Sequence, residues 1–255
     1  MIRFDDYKDR FKYVRLERTN GILEVTIHRD GGSAIWEAGE RGIHYELGEA
    51  FYFIGRDSET NVMILTGAGD AFIEQMEMNA GQAAMTSEFW FRIFKEGKDL
   101  LMNLLDIEVP VIGALNGNAF IHAELIALSD IIVAAEGAKL ADKAHAINGV
   151  VPSDGVHVVW PMLLGPNRAR HFLMTGAEID AAEAQRLGIV AEVVPQRQVL
   201  ERARVIARDL AKKPPLMLRY ARAALTQDIK RRLLADLGYG LALEGLGIQS
   251  LADRR

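Results

Sequence analysis

The sequence predicts an α/β protein, because strand patterns and helical patterns alternate through the first part of the chain. Two apolar, β-branched runs, residues 14–18 and 22–28, flank Asn20-Gly21, a dipeptide typical of the tight turn of a β-hairpin. Further on, each helical segment precedes a short apolar strand, which is the pattern of repeated crossovers in an α/β fold. We therefore expect an antiparallel pair followed by helix–strand units.

The first helix–strand unit follows the hairpin. Residues 44–55 carry Leu47, Ala50 and Ile54 at the spacing of one helix face, and residues 62–66 have the apolar run of a buried strand. The unit then recurs, with helices at residues 89–105 and 124–128 before strands at residues 109–115 and 131–135.

The last part of the chain is predicted to be mainly helical. Strand signals become sparse from Ser153 onward, and helices are expected at residues 156–164, 168–174, 181–187, 199–211 and 215–225. Residues 229–251 continue a helical pattern, but four glycines interrupt it and disfavour a continuous helix. No Pro-, Gly- or Ser-rich linker separates two independent domains.

Composition restricts the classes of function. The 255 residues are 49% hydrophobic and carry a net charge of −5 without a dominant basic cluster, which argues against a nucleic-acid or anionic-membrane surface. The amino-terminal residues are charged and no apolar stretch is long enough to span a bilayer, so we expect a cytoplasmic protein. Zero cysteines exclude disulfides, cysteine nucleophiles and thiolate metal sites.

Polar residues cluster after the strand at residues 109–115 and in a later loop. In chain order they are Asn116-Gly117, His122, Glu124, Asp130, His145 and Asp154. The pattern resembles the crotonase (enoyl-CoA hydratase/isomerase) superfamily, whose motif here is an Asn-Gly turn, glycines that donate oxyanion-hole amides, an acidic residue and a strand-opening Asp. In this sequence Ile121-His122-Ala123 stands in place of the glycines.

A second loop, residues 67–72, resembles the one that supplies the first oxyanion-hole amide in that family. As a dinucleotide fingerprint it fails, since the third glycine is absent. The family continues the loop with a small residue and a glycine, whereas this chain has Glu74 and Gln75. Glycine lets an amide approach a ligand oxygen closely, so these replacements argue against ordinary acyl-CoA thioester chemistry.

The resemblance covers nearly the whole chain and implies a specific architecture. Residues 1–195 would form a crotonase-like spiral of ββα units, and residues 196–255 a helical carboxy-terminal region that packs in trimers. We therefore expect a homotrimer or a dimer of trimers.

His145 falls where hydratases of this family place their second catalytic glutamate. An imidazole there can take a proton from water near neutral pH if a partner holds its other ring nitrogen, and Asp154 is the expected partner. Ser153 invites a serine triad with His145, but no Gly-x-Ser-x-Gly elbow surrounds it.

Four further residues are candidates, although each also has a plain structural explanation. Trp36 and His122 offer N–H groups that, as neutral donors, would polarise a ketone oxygen in a water-excluded site. Glu244 lies among leucines, which indicates either a raised pKa or the polar stripe of a helix. His44 lies at the start of the first predicted helix. By contrast, His28, His157 and His171 are expected to be structural.

The six candidates together closely resemble one subgroup, the β-diketone hydrolases of the 6-oxocamphor hydrolase type. They are Trp36, His44, His122, His145, Asp154 and Glu244. The most specific supporting stretch is Asp154-Gly-Val-His-Val-Val-Trp-Pro161, whereas residues 37–43 form a longer connection than the subgroup leads us to expect. The resemblance implies cleavage of a carbon–carbon bond in a small, cyclic or bicyclic β-diketone by a retro-Claisen reaction, without cofactor or metal.

Three alternatives stay open at this point. One is a hydratase or isomerase of CoA thioesters with exchanged glutamates, and another is a catalytically silent scaffold or RNA-binding homologue. The third is a metal hydrolase that uses His122, His145 and Asp154, although these residues lack a compact ligand spacing.

Overall fold

A six-stranded sheet forms the centre of the computed structural model, which describes residues 2–77 and 86–252. Its strands, in spatial order, are β1 (Val14–Thr19), β2 (Ile22–Ile27), β4 (Val62–Gly67), β6 (Val111–Leu115), β7 (Ile131–Ala135) and β10 (Glu192–Val194). The β1–β2 pair is the predicted antiparallel hairpin, and every other pair in the sheet is parallel. All six residues of β4 are buried, which explains its continuous apolar run.

A second, smaller layer of strands accompanies the main sheet. It contains β3 (Ala34–Trp36) paired with β5 (Ile73–Met76), and β8 (Lys139–Leu140) paired with β9 (Ile179–Asp180). Single bridges from Ala119 to Ile73 and to Leu140 connect the two pairs. Successive turns of the chain thus add one strand to each layer, as expected for a spiral of ββα units.

Helices cover the sheet and fill the carboxy-terminal region. They are α1 (Ile43–Ile54), α2 (Ser87–Asp106), α3 (Ala123–Ala127), α4 (Val156–Leu164), α5 (Pro166–Thr175), α6 (Ala181–Arg186), α7 (Val199–Ala211) and α8 (Pro215–Ala252). Every helix predicted before residue 212 is confirmed within a few residues. Across residues 2–77 and 86–252, no helix combines the length and the apolar character needed to cross a membrane.

The predicted interruption after residue 225 is wrong, because α8 is one continuous helix of 38 residues. Its glycines lie where other side chains approach the helix backbone. A Cβ atom at Gly240 would lie 2.2 Å from the His157 ring, and one at Gly245 would lie 2.2 Å from Nε1 of Trp90. These glycines are therefore needed for close packing and do not end the helix. The short strands β9 and β10, beyond Ser153, were not predicted.

One ionic contact, between the buried Arg222 and the partly exposed Asp130, attaches α8 to the sheet. Asp130, which opens β7, accepts hydrogen bonds from the backbone N–H of Val111 and from Nε of Arg222, both at 2.7 Å. Arg222 also donates to the carbonyl oxygen of Ile107. This anchor helps to fix the path of α8, whose later turns carry Glu244.

Candidate active site

All six candidate residues line one small cavity of about 110 Å³. Each comes from a different part of the fold, and all six are buried. The rest of the wall is apolar and is formed by Ala38, Met76, Phe89, Trp90, Ile93, Ala144, Val150 and Ile248. The cavity therefore has a polar, titratable side and a hydrocarbon side, a combination that is usual in small-molecule sites.

His145 is paired with Asp142, and not with Asp154 as the sequence led us to expect. Its Nδ1–H donates to Oδ1 of Asp142 over 2.8 Å, and both side chains are buried. A carboxylate on Nδ1 fixes the ring and leaves Nε2 as the nitrogen that can exchange a proton with a ligand. The spacing Asp-x-x-His was a visible signal for this pair.

Asp154 lies between two of the histidines. Its Oδ2 is 3.8 Å from Nε2 of His122, and it also lies close to both His145 and Glu244. The chain reaches this position through two left-handed residues, Asp154 with φ +48° and Gly155 with φ +86°. A non-glycine residue in this conformation costs about 1–3 kcal/mol, and such strain is concentrated at functional sites.

His122 also adopts the left-handed conformation, with φ +50°, where it precedes helix α3. Its Nδ1–H donates to Oε1 of the fully buried Glu124 over 2.6 Å. Because Nδ1 carries the hydrogen, a neutral His122 has only a lone pair on Nε2 and cannot donate to a carbonyl oxygen in the cavity. The role of His122 as a donor to the distal oxygen stays a prediction, and with the Nδ1 hydrogen held by Glu124 it requires the protonated form.

Trp36 and His44 lie beside His122 on the same side of the cavity. The Trp36 ring centroid is 4.0 Å from that of His122 and 5.5 Å from that of His44. His44 pairs through Nδ1 with Oε2 of Glu96 over 3.0 Å, and Glu96 is bound in turn by Arg92. Trp36 thus reaches the cavity despite the long connection formed by residues 37–43.

Glu244 extends from α8 into the cavity and is hydrogen-bonded to Ser153. The Ser153 hydroxyl donates to Oε2 of Glu244, and its oxygen accepts the backbone N–H of Asp154 over 2.5 Å. Ser153 therefore holds Glu244 and the Asp154 turn in place, and its hydroxyl is not directed to His145 as a serine triad would require. Glu244 faces His145 and Asp154, whereas His44 has its own carboxylate partner in Glu96.

The local charges shift the proton affinities of these groups. Burial is the largest influence on His145 and lowers its pKa, but the hydrogen bond and charge of Asp142, with smaller contributions from other carboxylates, raise the pKa of His145 to about 10. Burial and the charge of Asp154 raise the pKa of Glu244 to about 8. Burial likewise lowers the pKa of His122, but the charge and hydrogen bond of Glu124 outweigh it and the net shift is upward.

One group of three could also accommodate a metal ion. Single ligand atoms of His145, Asp154 and Glu244 all lie within 4.8 Å of one another. The same spacing also suits proton transfer between an imidazole and two carboxyl groups. The expected absence of a metal stays a prediction that a chelator can test.

A family model for enoyl-CoA hydratase/isomerase matches residues 17–243. The chain belongs to this family. A carnitinyl-CoA dehydratase from Salmonella typhi is 35% identical over 209 residues, covering 80% of this chain and 77% of that protein. The family model extends from β1 to Leu243, the residue before Glu244 on α8.

Among solved structures, a β-diketone hydrolase from the cyanobacterium Anabaena sp. PCC 7120, bound to (S)-3-oxocyclohexyl acetic acid, is similar over 97% of this chain and 98% of that chain. It is 44% identical, with a TM-score of 0.93. An enoyl-CoA hydratase/isomerase from Mycobacterium paratuberculosis covers 94% of this chain and 95% of its own, with a TM-score of 0.86 at 24% identity, which shows a common fold.

Where the family resemblance places the glycines of the second oxyanion-hole segment, this chain has one titratable side chain, His122. His122 keeps a left-handed backbone, which glycine adopts without strain, and adds an imidazole to the cavity. Sequence reasoning found every candidate that lines the cavity but missed their buried partners Glu96, Glu124 and Asp142.

Proposed function

We propose that this protein hydrolyses a carbon–carbon bond in a small cyclic or bicyclic β-diketone by a retro-Claisen reaction. The observation that carries the proposal is the cavity itself, in which three histidines and two carboxyl groups face an apolar wall. The similarity to a β-diketone hydrolase at 44% identity over nearly the whole chain supports it. We also propose that the reaction takes place in the cytoplasm and requires no cofactor.

The first step is attack of water on one carbonyl carbon. Neutral His145, with Nδ1–H held by Asp142, accepts a proton from water at Nε2 while the water oxygen bonds to the carbon. The resulting imidazolium is stabilised by Asp142 and by the nearby carboxylate of Asp154.

The second step breaks the carbon–carbon bond. The tetrahedral adduct collapses to a carboxylic acid, and the bonding electron pair moves into an enolate whose oxygen derives from the other carbonyl. We place that oxygen near Trp36 and Nε2 of His122, because donors in a water-excluded site stabilise developing charge strongly. Glu244, protonated, then gives a proton to the enolate carbon, and the product is a keto acid.

The experiment that tests this function uses a non-enolisable bicyclic 1,3-diketone and the purified protein. We expect conversion to one keto acid, detected by mass spectrometry, with no added CoA and with a metal chelator present. His145→Ala protein, whose rate should be about 10²–10⁴-fold lower, serves as the low-activity control. Turnover that requires CoA, or that stops with chelator, would reject the metal-free hydrolase.

A second candidate is an enzyme acting on a CoA thioester, favoured by the 35% identity to a carnitinyl-CoA dehydratase. The replacement of the oxyanion-hole glycines by His122 and Gln75 counts against it. Calorimetric titration with CoA and an assay with an enoyl-CoA distinguish the two: binding and hydration of the thioester, without diketone cleavage, would favour this second candidate.

The rate of diketone cleavage is expected to be highest between about pH 8 and about pH 10. Catalysis needs neutral His145 together with protonated Glu244. Below a pH of about 8 both groups hold a proton, because the pKa of Glu244 is about 8 and that of His145 is about 10. Above about pH 10 both have lost it. Between these values the pair shares one proton, so kcat/KM should follow a bell-shaped profile with an alkaline maximum.

Steady-state rates from pH 6 to pH 11 would measure this profile. A maximum near pH 6 would contradict the shared-proton arrangement. The profile alone does not say which group holds the proton, since both distributions have the same total charge.

We further propose that the protein acts as a homotrimer or a dimer of trimers. Large apolar side chains are exposed along α8, among them Tyr220, Leu225, Leu234, Tyr239 and Leu246. Such side chains along one element support burial against a further copy of the chain.

A further inference from the structure

The three cavity histidines share one arrangement that the proposed reaction does not explain by itself. In each, Nδ1 is hydrogen-bonded to a carboxylate on the side away from the cavity. The pairs are His44 with Glu96 at 3.0 Å, His122 with Glu124 at 2.6 Å and His145 with Asp142 at 2.8 Å. Each ring therefore presents Nε2 as the nitrogen available to a ligand.

Glu124 differs from the other two partners in how completely it is enclosed. It is 0% exposed, against 3% for Asp142 and 9% for Glu96. Like Asp142 it does not line the cavity, and its Oε2, like Oδ2 of Asp142, has no hydrogen-bond partner among the described residues. A buried carboxylate of this kind is costly unless a positive charge lies next to it. His122 Nδ1, at 2.6 Å, is the group in position to provide that charge.

The other influences on His122 do not all act in the same direction, and its burial opposes the charged form. Asp154 lies 3.8 Å from Nε2 and favours a charged ring, whereas the charge of His145 opposes it. The rings of Trp36 and His44 pack against His122, with centroids at 4.0 and 5.9 Å, and their faces and edges exclude water. His122 thus lies between two carboxylates in a dry environment.

We propose that Glu124 is a positioning residue that presents His122 to the enolate oxygen as an imidazolium. A charged donor makes a stronger hydrogen bond to an oxyanion than a neutral one does. Before the reaction the imidazolium offsets the negative charges of Glu124 and Asp154. As negative charge develops on the substrate oxygen, the same imidazolium also donates a hydrogen bond to the enolate. This inference rests on the proposed diketone cleavage for its role, but the charge on His122 can be measured without substrate.

The test uses nuclear magnetic resonance of protein labelled with ¹⁵N in its six histidines. Ring nitrogen shifts report both the protonation state and the tautomer, and single His→Gln variants assign the signals. At pH 7 we expect His122 of the unaltered protein to be doubly protonated. In Glu124→Gln protein, which keeps the volume but removes the charge, we expect a neutral His122.

Two matched substitutions control this experiment. Glu96→Gln makes the same change at the His44 pair and should leave the His122 signal charged. Glu136→Gln changes an exposed glutamate after β7 and should alter neither signal nor rate. We expect Glu124→Gln to lower kcat about 10²–10³-fold, the usual effect of losing one donor at a developing oxyanion.

A neutral His122 in the unaltered protein at pH 7 would overturn the proposal, even if the Glu124→Gln variant failed to fold. So would a His122 that stays charged in Glu124→Gln protein. A charged His122 in a protein that cleaves no diketone would instead reject the proposed function and retain the Glu124–His122 pairing. The two failures are therefore distinguishable.

Discussion

Replacement of His145 by alanine is expected to lower kcat for diketone cleavage by about 10²–10⁴-fold, the range for loss of a general base. The ring is buried in the cavity, its Nδ1 partner fixes its tautomer, and its Nε2 side lies close to both Asp154 and Glu244. Alanine leaves the substrate without a proton acceptor for the attacking water. Because ground-state contacts to the substrate are retained elsewhere in the cavity, KM should change much less than kcat.

Asp142→Asn is expected to reduce kcat on a similar scale, about 10²-fold or more. An asparagine amide can donate to Nδ1 and so place the hydrogen on Nε2, which is the wrong tautomer for accepting a proton. In a His145→Ala background the same substitution should have little further effect, because residues that act as one unit are not additive.

Asp154→Asn shows whether Asp142 or Asp154 is the partner through which His145 acts. Asp154 also faces His122, so its loss should reduce the rate further even in the His145→Ala background. Rates that multiply for His145→Ala with Asp142→Asn, but not with Asp154→Asn, would show that Asp154 is the working partner of His145. Full activity in His145→Ala protein would remove the base from the mechanism.

Local patterns were sufficient for most of the fold. The Asn20-Gly21 turn and the flanking β-branched runs define the hairpin within a few residues, and the helical spacing in residues 44–55 defines α1. The short strands β9 and β10 could not be found this way, since two or three residues are too few to show an alternating pattern. Their pairing depends on the neighbouring strands.

The candidate site shows the same division between local and long-range information. The residues that face the cavity carried recognisable chemistry, but their partners depend on packing. Glu96 lies 52 residues from His44, and nothing between them predicts the contact. Asp142 is three residues from His145 and so was visible, yet choosing it over Asp154 required the backbone of the loop.

The glycines of α8 predicted an interrupted helix, because glycine disfavours helix interiors, but the observed helix is continuous. Intrinsic helix propensity disfavours glycine by about 1 kcal/mol each, and that cost is real in an isolated helix. Here tertiary packing outweighs it, because the backbone of α8 lies against His157 at Gly240 and against Trp90 at Gly245. Since Gly245 follows Glu244 directly, this packing also fixes where along α8 the Glu244 carboxyl group faces the cavity.

Glu244→Gln is expected to lower kcat by about 10²–10⁴-fold and also to change the stereochemistry of the product. A glutamine has nearly the same shape and can still accept the Ser153 hydrogen bond, so the fold should be retained. It has no carboxyl proton to give to the enolate carbon. The enolate would then be protonated by solvent, from either face of the molecule.

The decisive measurement is cleavage in D₂O, with the position of the incorporated deuterium determined by proton magnetic resonance. The unaltered protein should deliver deuterium to one face of the α-carbon, because Glu244 is fixed between Ser153 and the cavity. Glu244→Gln protein should give a mixture. Ser153→Ala is the matched control, since it removes the hydrogen bond but retains the acid, and it should keep the facial preference at a reduced rate.

A mixture of faces in the unaltered protein would show that solvent, and not Glu244, returns the proton. A single face in Glu244→Gln protein would mean that another acid delivers it, and His145 would be the next candidate because it holds the proton taken from water. The two positions lie within 4.8 Å of each other, so either acid could be near the same carbon atom. The proton donor is the residue whose substitution abolishes the facial preference. The pH profile cannot identify it, since the profile is the same whether Glu244 or His145 donates.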